Sequence, residues 1–171
     1  LISSGGSLGL YVSSGRLNIS NEEVFKKDPS KIILFFDFLE KKNLFAHPNA
    51  IRLIRKSVKL IDHKLRNNIR TNEVFTNILS SPEAEKTLRA MNESGVLGKF
   101  VPDFGRIVGL MQFNMYHHYT ADEHLIKAVG ELNKIFHSEN KDYTILNSLS
   151  LDEKEKRILS LAIFFHDIAK G

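Results

Sequence analysis

The chain has 171 residues, 42% of them hydrophobic and 26% charged, with a formal net charge of +4 and no cysteine. This length allows one sizeable core or two small ones. The lack of cysteine excludes disulfides and thiolate metal sites, and no apolar run reaches the roughly 20 residues that span a bilayer. Nothing at the start has the charged-then-apolar layout of a signal peptide, so the chain reads as soluble and cytoplasmic. It begins at Leu1 rather than Met and stops just after its most chemically loaded residues, so both ends are expected to be boundaries within something longer.

Residues 1–20 are rich in Ser and Gly, and "LGLYVSSGRLNIS" alternates weakly around Ser14-Gly15. That pattern suits a short hairpin, or else a linker from an upstream domain. From Asn21 onward the punctuation is helical. Asp28-Pro29, His47-Pro48 and Ser81-Pro82 each offer a polar residue followed by Pro, and Pro102 opens "PDFGRIVGLM", the arrangement of helix starts. Ile51, Ile54, Val58, Ile61 and Leu65 form one stripe of a helix whose other side carries basic residues.

"TNEVFTNILS" and "SPEAEKTLRAMNESG" read as two short helices, the second ended by Gly95. Two longer helices follow. "TADE" and "SLDE" are capping boxes, Thr120 with Glu123 and Ser150 with Glu153, which predict helices at about 121–137 and 151–169. The fold class is therefore all-α, a helical bundle with a short β-hairpin at the N-terminus. Charge is uneven: between Ile51 and Arg70 seven cations face Asp62 alone, a local excess of +6.

The last helix poses a chemical question. "LAIFFHDIAKG" sets His166 and Asp167 directly after an apolar run, where an uncompensated imidazole and carboxylate would cost several kcal/mol. An imidazole nitrogen and a carboxylate oxygen together suit a divalent ion such as Mn²⁺, Fe²⁺, Mg²⁺ or Zn²⁺. A third ligand must come from another helix, and His124, in "MYHHYTADEHLIKAV", is the best candidate, with Asp122, Glu123 and His117 close by in sequence. Spacing alone leaves open a purely structural His-Asp hydrogen bond, and surface positions for His117 and His118.

A His early in one helix, followed about 40 positions later by an apolar helix ending in His-Asp, resembles the HD superfamily of metal-dependent phosphohydrolases. More specifically, "MNESGVLGKFVPDFGRIVGLMQFNMYHHYT", "YTADEH" and "LSLAIFFHDIAKG" resemble the bifunctional uridylyltransferase/uridylyl-removing enzymes that act on the PII nitrogen-signalling protein; the family's "YTVDEH" is matched with Ala121 for Val. "DPSKIILFFDFLEKKNLFAHPNAIRLIRKSVKLIDHKLR" looks like the helical segment that joins their nucleotidyltransferase and HD domains.

The resemblance implies a linker or hairpin over 1–20, a helical segment over 21–112 and the N-terminal part of an HD domain over 113–171. It implies a divalent metal, Mg²⁺ or Mn²⁺, held by His124, His166 and Asp167. Asp167 and His117 are the implied catalytic residues and Lys170 a phosphate contact. The implied reaction hydrolyses the UMP–tyrosine phosphodiester of uridylylated PII, with UTP and glutamine acting through the longer protein. The family's downstream Asp ligand has no counterpart in the chain, so an incomplete metal shell and little activity are expected.

Two other readings compete. The basic segment could lie on nucleic acid, as in tRNA nucleotidyltransferases or poly(A) polymerases, although it lacks aromatic stacking partners and its cations suit the solvent face of an amphipathic helix. Alternatively, the helices could only space neighbouring domains, with the His-Asp pair structural; convergence of His124 on that pair separates this from the enzyme reading.

Overall fold

The computed structural model describes residues 9–110, 120–137 and 151–168. It is mostly α-helical, with a small sheet at its N-terminal end. Strands β1 (Leu10–Ser13) and β2 (Arg16–Ile19) pair antiparallel. Ser14 and Gly15 turn between them at φ 50° and 71°, the left-handed pair that a tight hairpin turn requires. A strand the sequence does not announce, β3 (Phe45–Ala46), adds to β2 in parallel, Leu17 opposite Ala46.

Helix α1 (Glu23–Lys27) buries Phe25, and α2 (Lys31–Lys41) buries Ile32, Ile33, Phe35, Phe36 and Leu39. Helix α3 starts at Pro48, capped by His47, whose Nδ1 accepts from the Asn49 amide at 3.1 Å. The continuous stripe expected from Ile51 to Leu65 is interrupted. α3 ends at Ser57, a 3₁₀ turn covers Val58–Leu60, and α4 (His63–Arg66) starts afresh. The cause is Asp62, whose carboxylate accepts from the Leu65 amide at 2.9 Å and so caps a new helix. Ile54, Ile61 and Leu65 remain buried, and Ile51 and Val58 are half-buried.

Helices α5 (Ile69–Leu79), α6 (Ala84–Glu93), α7 (Val96–Phe100) and α8 (Pro102–Ile107) follow, with Gly95 at φ 79° between α6 and α7. α9 (Ala121–His137) has the predicted bounds, while α10 (Glu153–Phe165) is shorter than the predicted 151–169. Its capping box is Asp152 with Glu155, both bonds 2.8 Å, two residues beyond the expected pair; Ser150 lies outside the described residues.

The buried apolar side chains form one core. α9 and α10 pack on each other, α9 also on α6 and α10 on α5. Fully buried Asn133 fastens α9 to α5 by donating to the Leu79 carbonyl at 2.7 Å. Phe164 seats α10: it is fully buried, stacked on Phe104 at 5.5 Å between ring centroids and edge-on to Phe75 at 5.7 Å. Burying such a ring contributes roughly 1.5–3 kcal/mol. No helix among the described residues is long and apolar enough to cross a membrane.

Candidate metal centre

Phe164 sets the positions of His166 and Asp167, two and three residues on. With that ring in the core, the chain leaves α10 at His166, its C-cap, and carries Asp167 round to the same side as α9. His124 lies in the first turns of α9, its amide bonded to the Thr120 carbonyl at 2.9 Å.

The three side chains converge. One ligand atom from each of His124, His166 and Asp167 lies within 4.8 Å of the others. The imidazole centroids are 5.7 Å apart and tilted by 59°, and His166 Nε2 is 3.5 Å from Asp167 Oδ1. Asp167 is 12% exposed and His166 38% exposed, so the cluster opens to solvent on the His166 side.

The ring nitrogens of His166 have different tasks. Nδ1 is 2.6 Å from the Ile163 carbonyl oxygen, which can only accept, so Nδ1 donates there and Nε2 is the nitrogen on the side of Asp167, available as a ligand in the neutral ring. Metal-ligating histidines are commonly oriented in this way. Two nitrogens and one carboxylate oxygen make a donor set that divalent Mn, Fe or Zn accepts, and Mg less readily. Ligands about 2.1 Å from one ion sit roughly 3–4 Å apart, so a separation of up to 4.8 Å must close by about 1–2 Å for the three atoms to share such an ion.

The start of α9 is fixed by two acidic residues that turn away from the cluster. Asp122, 5% exposed, accepts from Asn92 Nδ2 at 2.9 Å and from the Gly109 amide at 3.1 Å. Desolvation pushes its carboxyl up, but the hydrogen bonds from Thr120, Asn92 and Gly109 outweigh it and hold the group below its ordinary value. Glu123, which a Thr120 box would turn back onto the backbone, accepts from Arg89 Nη1, and Arg89 also reaches Glu85 at 2.9 Å. Arg89 and Asn92 are more than two dozen residues from α9, and no spacing rule links them to His124.

His117 and Lys170 lie outside the described residues. Of the basic segment, Arg55 donates to the Glu93 carbonyl at 3.1 Å and Arg52 to Asn49 at 2.7 Å, so part of that charge serves local structure.

Residues 11–100 match the family model described as the uridylyltransferase GlnD third domain. The chain is 42% identical over 162 residues to a bifunctional uridylyltransferase/uridylyl-removing enzyme of Nitrobacter winogradskyi, a match covering 94% of the chain and 18% of that protein. Proteins bearing the same name from Rhodopseudomonas palustris and a Bradyrhizobium species are 44% and 42% identical over the same 94% of the chain, each covered to 17%. The chain thus spans less than a fifth of the length of these curated relatives.

Proposed function

The chain belongs to the uridylyltransferase GlnD third-domain family, and from that premise we propose that His124, His166 and Asp167 form the metal centre of a uridylyl-removing phosphodiesterase. Its substrate is the UMP–tyrosine ester of uridylylated PII, and it works in the cytoplasm. In this reading the helices up to residue 112 follow a nucleotidyltransferase domain and 113–171 begin an HD domain. UTP and glutamine act elsewhere in the longer protein, and nucleic acid is not a substrate.

One observation carries the proposal: ligand atoms from α9 and from the end of α10 lie within 4.8 Å of one another, with the outer nitrogen of His166 already committed to Ile163. A scaffold that only spaces domains does not account for that convergence. His124, His166 and Asp167 would hold a Mg²⁺ or Mn²⁺ ion, whose contribution would be activation of a bound water and compensation of charge on the phosphoryl oxygens. His124 and His166 supply neutral nitrogens, so a single charge, that of Asp167, balances the cation. The half-exposed His166 edge leaves the phosphoester a path of approach. Asp167 also holds the attacking water or takes its proton, and His117 and Lys170 meet the phosphate.

The test pairs Mn²⁺ binding by the chain with release of UMP from uridylylated PII by the longer protein that carries it. Asp167→Asn should abolish release and weaken Mn²⁺ binding while leaving the circular dichroism spectrum unchanged. Undiminished, metal-independent release by that variant would remove the proposed site.

A further inference from the structure

The first turn of α9 is tied to the rest of the protein more firmly than a helix start requires. Asp122 takes the Asn92 amide of α6 on one carboxylate oxygen and the Gly109 amide on the other, with Thr120 as a third donor. The Ala121 amide reaches the Leu110 carbonyl at 3.1 Å, and Glu123 binds Arg89. Two residues beyond Asp122 stands His124. A helix advances about 100° per residue, so Asp122 and His124 project to nearly opposite sides, one to α6 and the end of α8, the other to α10.

We infer that Asp122 is a positioning residue: by gripping Asn92 and the Gly109 amide it fixes the rotation and height of the first turn of α9, and thereby holds His124 in line with His166 and Asp167. The inference rests on the proposed metal centre. A carboxylate that only closed a helix end would need one amide of its own turn. This one is almost fully buried and spends its oxygens on two other segments of the chain. Its work is done by hydrogen bonds and not by its charge, since it lies away from the ligands. An amide at this position can keep the Gly109 bond while Asn92 turns its own amide over to accept.

That property supplies the test, in the 171-residue chain with Mn²⁺ as the probe and free Mn²⁺ read by electron paramagnetic resonance. Asp122→Ala should weaken Mn²⁺ binding about 10–100-fold, the range for lost outer-shell support, while Asp122→Asn stays within about threefold of the parent. Ile54→Ala, a core change on α3 with a comparable loss of thermal stability, should leave Mn²⁺ binding unchanged at a temperature where all variants are folded. Parental affinity in folded Asp122→Ala would overturn the positioning role and leave the metal centre standing. Equal weakening by Asp122→Asn would overturn it in favour of a role for the charge. Absence of Mn²⁺ binding by both the parent chain and the longer protein that carries it would remove the metal centre and the inference together.

Discussion

Nδ1 of His166 donates to the carbonyl of Ile163, one turn back along α10, at 2.6 Å. The backbone of the helix thus selects which nitrogen faces Asp167 and His124. Asn substituted at a histidine places its amide near the Nδ1 position, and Gln near Nε2. His166→Gln is therefore expected to retain measurable Mn²⁺ affinity, and His166→Asn to lose more than the roughly 10–100-fold typical of an outer-shell contact. Titration calorimetry distinguishes the two, and equal losses would dispose of the Nε2 assignment.

Phe164 and Phe165 are neighbours with opposite roles. Phe164 is fully buried between Phe75 and Phe104, and Phe165 is 43% exposed. Phe164→Ala should lower unfolding free energy by about 3–5 kcal/mol, and Phe165→Ala by no more than about 1 kcal/mol. Urea denaturation followed by circular dichroism measures both, and a similar cost for each would contradict the seating of α10 described above.

Gly130 lies inside α9, where alanine ordinarily stabilises a helix by about 1 kcal/mol. A Cβ there would stand 2.5 Å from Glu85 Oε2 and 2.7 Å from Glu85 Cβ. The carboxylate can swing away, but the Cβ of α6 cannot. Gly130→Ala is expected to destabilise by about 1–3 kcal/mol, and the penalty should persist in a Glu85→Ala background because the crowding atom remains. Thermal melts of the two single variants and the double variant decide it.

Glu40 supplies a pH test. Burial raises its carboxyl above the ordinary glutamate value, offset in part by a hydrogen bond from Ser81. The folded chain then holds a proton that the unfolded chain has released, so stability from this group falls as pH rises from the ordinary value through the raised one. Glu40→Gln should stabilise the fold at neutral pH and lose that advantage below the ordinary glutamate range. A constant difference across pH 3–8, on the order of five pH units, would show that ionisation of Glu40 is not the cause.

Local signals carried much of the architecture. Ser14-Gly15 marked the hairpin because two left-handed residues in succession suit few other structures, and the bounds of α9 were readable beside Thr120. The start of α10 was misplaced because "SLDEKE" holds two candidate boxes of identical spacing, and Asp152 with Glu155 is the one that caps the helix. The two-residue strand β3 is too short to show alternation, and Asp62 broke a stripe whose periodicity alone implied continuity. At the site, His124, His166 and Asp167 were singled out by their donor atoms, and family resemblance raised a metal site above the structural pair that spacing left open. Asn92 and Arg89 could not be read at all, because their link to α9 exists only after α6 has packed.

Helix α10 places Phe164 in the core and, two and three positions on, at its C-terminal end, His166 and Asp167 in the ligand cluster. Selection therefore cannot treat that segment as separable parts. A change that relaxes the ring also shifts the ligands, and a lineage that abandons the ligands must still preserve the ring, so the apolar run should outlast the chemistry wherever descendants have lost it.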